Sequence, residues 1–136
     1  MFGNKATKPS PIDSLIGAGS TITGDIHFTG GLRVDGCVKG NIRSVGEKPG
    51  TLVLSELAKV EGEIEVGHVV INGTVAGPVH ASQYLELLPK ARVTGDVTYK
   101  TIEIHVGAIV MGRMVHVEDN KQADKVIELK SAGNSG

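Results

Sequence analysis

Residues 60–79 read Val60-Glu-Gly62-Glu-Ile64-Glu-Val66-Gly-His-Val69-Val-Ile71-Asn-Gly-Thr-Val75-Ala-Gly77-Pro-Val79. One five-residue unit, apolar-x-Gly-x-apolar, occurs twice in this stretch, beginning at Val60 and again at Val75. An apolar-x-apolar triplet, Val69 to Ile71, lies between the two units. Such short alternating runs are typical of strands with one buried face, and a glycine between two runs marks a tight corner. The stretch therefore predicts short β-strands joined at glycine corners.

The same unit recurs six times along the chain. It begins at Ile22, Val38, Val60, Val75, Val93 and Val110, so the spacings are 16, 22, 15, 18 and 17 residues. The long spacing contains a turn-rich insertion, Gly46-Glu-Lys-Pro-Gly50. The triplets form a second column with the same period, beginning at Leu32, Leu52, Val69, Leu85 and Ile102. Two independent columns with one period near 17 residues indicate a structural repeat.

A repeat of this length, made of short strands, predicts a coil. Each turn would lie about 4.8 Å above the last and would stack like residues into buried columns. The irregular spacings depart from the strict multiples of six found in left-handed coils. We therefore predict an all-β protein: a right-handed parallel β-helix of about six rungs at residues 19–117. Residues 1–18 are predicted to be a flexible N-terminal arm, and residues 118–136 a disordered polar tail.

Composition excludes several classes of function. The 14 Lys and Arg residues balance 15 Asp and Glu residues, so bulk electrostatic binding to nucleic acid is not expected. A single cysteine, Cys37, excludes an internal disulfide framework and a Cys-rich zinc site. The sequence contains neither an apolar run of about 18 residues nor a signal peptide. A cytoplasmic location is the resulting expectation.

Signatures of catalysis and of ligand binding are absent from the sequence. We find no phosphate-binding glycine motif and no His, Cys and carboxylate set with metal-ligand spacing, so no nucleotide, cofactor, metal or catalytic site is predicted. His27 and His80 fall in one outward column, three rungs apart, and no carboxylate is identifiably placed beside any histidine. The five histidines are therefore predicted to be surface residues. Two alternatives stay open: a left-handed β-helix acyltransferase of the hexapeptide type, which uses a histidine as general base, and a monomeric β-helix binding module.

A family resemblance rests on three segments: Ile12-Asp-Ser-Leu-Ile-Gly-Ala-Gly-Ser-Thr-Ile-Thr-Gly-Asp-Ile26, Leu32-Arg-Val-Asp-Gly36 and Val38-Lys-Gly-Asn-Ile42. The chain resembles the bactofilins, bacterial cytoskeletal proteins with a right-handed parallel β-helix core, over about residues 15–117. Its start, Met1-Phe2-Gly-Asn-Lys5, is similar to the short membrane-targeting leader of many members. The resemblance implies a non-enzymatic scaffold that forms nucleotide-independent filaments at the inner face of the cell membrane. It also implies the partners: further copies of the chain, anionic inner-membrane lipid, and proteins of cell-wall synthesis or hydrolysis.

Three sets of residues are predicted to make these contacts. The terminal rungs carry backbone groups and apolar side chains with nothing to pair against, which predicts a polymerisation interface at Ile22, Phe28, Leu32, Val34, Val110, Met114, Val115 and Val117. An apolar tip followed by lysines can enter the headgroup boundary of a bilayer, which predicts membrane contact at Met1, Phe2, Lys5 and Lys8. Two adjacent apolar residues in the outward column Arg33, Val53, Val70, Glu86 and Glu103 predict a lateral patch at Val53 and Val70, although scattered surface valines are the alternative.

Overall fold

The structure is a computed structural model and describes residues 9–117. All regular secondary structure in this range is β-strand, and the strands follow six turns of one coil. Turns 1 and 2 contain β1 (Ile12–Ile16), β2 (Thr21–Thr23), β3 (Ile26–Phe28), β4 (Gly31–Val34), β5 (Cys37–Lys39) and β6 (Ile42–Ser44). Turns 3 and 4 contain β7 (Thr51–Leu54), β8 (Lys59–Glu61), β9 (Ile64–Ile71), β10 (Thr74–Ala76) and the start of β11 (Val79–Leu87). Turns 5 and 6 contain the rest of β11, then β12 (Arg92–Thr94), β13 (Val97–Tyr99), β14 (Ile102–Ile104), β15 (Ile109–Met111) and β16 (Met114–His116).

The coil has three faces, and each face is a stack of parallel strands. The first face contains β1, β4, β7, the second halves of β9 and β11, and β14. The second face contains β2, β5, β8, β10, β12 and β15. The third face contains β3, β6, the first halves of β9 and β11, β13 and β16. The predicted parallel β-helix of about six rungs is thereby confirmed.

The core is a set of inward columns whose members repeat once per turn. On the second face, Val38, Val60, Val75 and Val93 are fully buried and lie in register with one another. Branched aliphatic residues suit this position because they pack well on a pleated surface. Full burial of such a side chain contributes about 1.5–3 kcal/mol, and the columns repeat this contribution at every inner turn.

Polar side chains satisfy the backbone at one corner of the coil. The Asp25 Oδ1 accepts a hydrogen bond from the Asn41 N–H (3.0 Å), and the Asn41 Oδ1 accepts one from the Glu63 N–H (2.8 Å). Two turns further on, the Asp96 Oδ1 accepts one from the Arg113 N–H (2.9 Å). Short Asp and Asn side chains therefore link successive corners, where the strand ladders are interrupted.

The insertion at residues 46–50 lies between β6 and β7 and leaves the coil in register. β7 pairs with β4 without a shift, from Gly31 opposite Thr51 to Val34 opposite Leu54. The extra residues are therefore accommodated at a corner, outside the strand ladder.

The coil begins earlier than the sequence analysis predicted. β1 pairs with β4, with Leu15 opposite Arg33 and Ile16 opposite Val34, so the boundary predicted at residue 19 is wrong. The strand was missed because its register shifts between Ile12 and Ser14, and because Ser14 lies where later turns have leucine, valine or isoleucine. The remainder of the predicted arm, residues 1–8, and the predicted tail, residues 118–136, lie outside the described residues.

Candidate assembly surfaces

Within the described residues, the two ends of the coil leave backbone groups without a neighbouring turn. Inside the coil, corner N–H groups donate across turns: Gly77 to the Thr94 carbonyl and Gly95 to the Met111 carbonyl, both at 2.9 Å. Gly112 occupies the same corner in turn 6, and no further turn follows within residues 9–117. At this corner the Gly112 N–H of turn 6 and the Thr23 carbonyl of turn 1 therefore face the open ends, whereas the Gly24 N–H of turn 1 donates to the Lys39 carbonyl of turn 2 (2.9 Å). Such open strand edges favour pairing with another chain.

Both ends also expose apolar side chains. Ile12 and Leu15 are 43% and 62% exposed in turn 1, and Ile26 and Phe28 are half-buried against the core. In turn 6, Ile104 and Met114 are 51% and 39% exposed. The inward columns that contain Ile104 and Met114 are fully buried in turns 2 to 5, so the exposure of these two residues results from their position at the end of the coil, whereas Leu15 belongs to an outward column.

The structure places the predicted interface residues in four environments: turn 1, inward positions of turn 6, exposed positions at residues 115 and 117, and the buried side of turn 2. Ile22 and Phe28 lie in turn 1, and Val110 and Met114 lie at inward positions of turn 6. Val115 and Val117 are exposed; Val115 lies in an outward column of the third face, whose members are His27, Arg43, Glu65, His80, Thr98 and Val115. The prediction that Leu32 and Val34 lie on the first rung is wrong. They belong to turn 2, are 4% and 0% exposed, and are covered by β1.

The lateral column predicted on the first face has the expected register. Leu15, Arg33, Val53, Val70, Glu86 and Glu103 lie opposite one another on six successive turns. Val53 and Val70 are half-buried neighbours at its centre. Their contact with a partner stays a prediction.

A groove of about 470 Å³ lies beside this column. Its lining includes Pro9, Thr51, His68, Tyr84 and Lys100. Ser10 anchors the adjoining segment, since its N–H donates to the Thr51 Oγ1 (2.9 Å) and its hydroxyl donates to the Pro49 carbonyl (3.1 Å).

The histidine in this groove was wrongly predicted to be a surface residue. His68 is 5% exposed, its Nε2 has no hydrogen-bond partner among the described residues, and burial lowers the pKa of its imidazole. Burial and the hydrogen bond from the Tyr84 hydroxyl to the Glu103 Oε1 (2.8 Å) raise the pKa of Tyr84. Sequence alternation could not reveal this burial, because it depends on Thr51 and Tyr84 in the neighbouring turns.

Carboxylates lie beside two other histidines, contrary to the sequence analysis. His105 Nε2 is 2.8 Å from Glu86 Oε2 and 3.4 Å from Glu103 Oε2, and His80 Nε2 is 3.1 Å from Glu63 Oε2. The predicted absence of any His and carboxylate cluster is also wrong, since ligand atoms of Glu86, Glu103 and His105 lie within 4.8 Å of one another. When protonated, His105 offsets the repulsion between two carboxylates stacked on adjacent turns.

These observations define a class of protein: a parallel β-helix rod whose two end turns, among residues 9–117, have unpaired backbone groups and exposed apolar side chains. Residues 14–115 match the family described as Bactofilin, polymer-forming cytoskeletal. The chain is 35% identical over 102 residues to Bactofilin BacO of Myxococcus xanthus (strain DK1622), covering 75% of this chain and 78% of the relative. The chain therefore belongs to the bactofilin family of polymer-forming cytoskeletal proteins. No solved structure gives a significant match. Within residues 9–117, no helix is long and apolar enough to cross a membrane.

Proposed function

We propose that this chain is a non-enzymatic scaffold that polymerises end to end without nucleotide, attaches to the inner face of the cell membrane, and localises enzymes of cell shape or of the cell wall. The observation that carries the proposal is the pair of exposed apolar layers on open turns at both ends of the coil. The family assignment favours this scaffold over the acyltransferase and the monomeric binding module.

End-to-end association follows from the physics of an open β-stack. A second copy can pair its terminal backbone with turn 1 or turn 6 and bury side chains such as Ile22 and Met114. Each apolar side chain of this size contributes about 1.5–3 kcal/mol when fully buried. Contact at both ends leaves the association open, so it continues into a filament and does not close into a ring. The sequence offers no phosphate-binding motif, which supports assembly without nucleotide.

A charge placed in the terminal layer tests this contact. Ile22→Arg or Met114→Arg should abolish filaments in sedimentation and negative-stain microscopy, because each buries an unpaired charge at a junction. Thr94→Arg is the matched control, since Thr94 is exposed on the side of an inner turn. All three should keep a β-rich circular dichroism spectrum. Phe28→Arg is a weaker test, because Phe28 also packs against the core and its replacement can unfold the coil. Wild-type filament yield from Ile22→Arg and Met114→Arg would contradict the proposed interface.

Membrane attachment is proposed for Met1, Phe2, Lys5 and Lys8, which lie outside the described residues. Ser10 holds the start of the described chain against turn 3, on the side of the coil, so an arm attached there does not begin at an end that must stack. A single short anchor binds weakly, but many anchors on one filament bind together at high effective concentration.

Flotation with anionic liposomes tests the arm. The intact chain should float with the vesicles, whereas Phe2→Glu and a form lacking residues 2–8 should remain in the dense fraction while still polymerising. Equal flotation of all three polymers would show that the arm is not the anchor. For the enzyme partners, immobilised wild-type filaments should retain cell-wall enzymes from native lysate that immobilised Met114→Arg subunits do not. Equal retention would contradict filament-dependent recruitment.

A further inference from the structure

The four inner positions of the column on the first face have a charge pattern that is its own complement when reversed, whereas the outermost pair would be Leu15 opposite Glu103. From turn 1 to turn 6 its members are Leu15, Arg33, Val53, Val70, Glu86 and Glu103. The two valines lie on turns 3 and 4, on either side of the centre of the coil. Arg33 on turn 2 and Glu86 on turn 5 are equally far from that centre. Their side chains are 49% and 24% exposed, so both can reach a partner surface.

We propose that this column is a lateral contact between two copies of the chain, which pack first face to first face with antiparallel coil axes. The two-fold axis runs along the strand direction between turns 3 and 4. It places Val53 of one copy opposite Val70 of the other, and Arg33 opposite Glu86 on both sides of this apolar centre. The inference deepens the proposed scaffold, and it rests on that function where the two copies belong to neighbouring filaments.

The charges select the antiparallel arrangement. Parallel coils in the same register would place Arg33 opposite Arg33 and Glu86 opposite Glu86, and like charges directly opposite each other destabilise a contact. Reversal replaces both repulsions by attractions between opposite charges. Arg33 and Glu86 have internal partners, Asp35 at 2.9 Å and His105 at 2.8 Å, which hold the two side chains at the surface in the unpaired copy.

The second and third faces do not offer the same combination. Reversal of the column Thr23, Lys39, Glu61, Ala76, Thr94 and Met111 places Lys39 opposite Thr94 and Glu61 opposite Ala76. Reversal of the third-face column that contains Arg43 places this arginine opposite Thr98. The first-face column combines an apolar centre with opposite charges on both sides of it.

The shape of the first face, with one raised segment and one groove, also fits the antiparallel packing of two copies. Ser10 fixes the segment at Pro9 over Thr51 on turn 3, so this part of the face is raised. The adjacent groove extends past His68 on turn 4 to Lys100. Because the two-fold axis opposes turn 3 to turn 4, the raised segment of each copy faces the groove of the other.

The size of the face indicates where pairing should be seen. Six turns at about 4.8 Å and a face about 15 Å wide give roughly 400 Å² per copy. This is about half the area that each partner buries in a standard stable interface, so a single pair of copies binds weakly. Along two filaments the contact repeats at every subunit and the pairing becomes strong. We therefore expect paired filaments, and mostly free single subunits when polymerisation is blocked.

A charge swap tests the pairing. Negative-stain images of wild-type filaments should show laterally paired filaments. Arg33→Glu and Glu86→Arg should each reduce the paired fraction at least about fivefold, and the double variant should restore it. Arg43→Glu, which removes an ion-paired arginine on the third face, is the matched control and should leave the pairing unchanged. Unpaired wild-type filaments, unreduced pairing in the single variants, or a double variant that stays unpaired would overturn the proposal.

Cysteine cross-linking tests the same contact without relying on filaments. With Cys37 replaced by serine, an equimolar mixture of Arg33→Cys and Glu86→Cys chains at millimolar concentration should form mixed dimers with a bismaleimide of about 8 Å span, since sheets packed face to face lie about 10 Å apart, too far for a direct disulfide. Each chain alone should not, because identical positions lie a further three turns, or about 14 Å, apart along the coil axis, beyond the reach of this linker. The trapped pair keeps one Arg33–Glu86 contact intact. Absence of mixed dimers overturns the pairing; absence of filaments with mixed dimers present contradicts only the proposed end-to-end function.

Discussion

Alanine should destabilise the coil less when it replaces a corner glycine of the terminal turn than when it replaces one of an inner turn. Gly24 and Gly95 occupy the same corner on turns 1 and 5, with φ angles of 129° and 141° that only glycine adopts readily. A Cβ added at Gly24 meets nothing within 4 Å, whereas one added at Gly95 lies 2.6 Å from the Gly77 carbonyl oxygen of the turn below. Both Gly24→Ala and Gly95→Ala carry the backbone strain, but only Gly95→Ala also forces stacked turns apart. The difference in stability between the two variants therefore measures the cost of the close contact between turns.

The structure sets the size of the difference. Left-handed backbone strain on alanine costs about 1–2 kcal/mol in either variant. To reach ordinary contact distance in Gly95→Ala, the two turns must separate by about 0.8 Å, and overpacking of this kind costs about 1–3 kcal/mol more. It also stretches the 2.9 Å hydrogen bond from the Gly77 N–H to the Thr94 carbonyl. Gly95→Ala should therefore unfold roughly 5–15 °C below Gly24→Ala.

Thermal unfolding followed by circular dichroism measures this difference. Both variants should carry Met114→Arg, so that end-to-end association does not add to the stability of either protein. Equal midpoints, or a lower midpoint for Gly24→Ala, would refute the claim that close stacking of turns requires glycine at this corner.

Three further predictions follow from side chains on different parts of the coil. Burial lowers the pKa of His68 below 6.5 in the folded chain, so the unfolded chain binds the proton first, and the free energy of unfolding should fall as the pH drops from about 6.5 through the lowered pKa. His68→Leu should lose this part of the pH dependence. Equal changes in melting temperature between pH 8 and pH 5 for wild type and His68→Leu would contradict the prediction. The exposed Arg43–Glu65 pair, whose Nη2 and Oε1 atoms are 3.0 Å apart, should show a coupling free energy of only about 0.2–1 kcal/mol in a double-mutant cycle measured by urea unfolding. A coupling free energy above about 2 kcal/mol would show that solvent does not screen the pair. Ser14→Leu places leucine in the open turn next to Leu32 and should lower the critical concentration for filament formation about tenfold in sedimentation assays. An unchanged or raised critical concentration would argue against burial of the column of Ser14 and Leu32 at the junction between subunits.

The periodic part of the fold could be predicted from the sequence, because each inner turn repeats the same apolar positions. Val38, Val60 and Val75 lie in register on successive turns. Each of them packs between similar residues of the turns above and below, so the same apolar residue type recurs in the sequence once per turn. The first strand could not be predicted in this way. Ser14 occupies an inward position of an end turn, where only one neighbouring turn demands an apolar side chain, so the pattern fades at the end of the coil.

Some surface features could likewise be predicted from the repeat, and others could not. The column of Val53 and Val70 followed directly from the period, because register alone determines it. The burial of His68 and the convergence of His105 with Glu86 and Glu103 did not follow from it. These contacts join different turns, and their geometry depends on side-chain directions and on the path of the chain near Ser10, which alternation within one strand does not specify.

Cryo-electron microscopy of filaments grown from the purified chain without nucleotide tests the central claim most directly. If β-helices stack end to end, the averaged filament should show a layer line at about 4.8 Å along its axis and a subunit repeat of roughly 29 Å, the height of six turns. The strands should run across the filament, and the apolar layers containing Ile22 and Met114 should lie at the junctions. Discrete particles, or filaments whose 4.8 Å spacing runs perpendicular to the axis, would contradict the account.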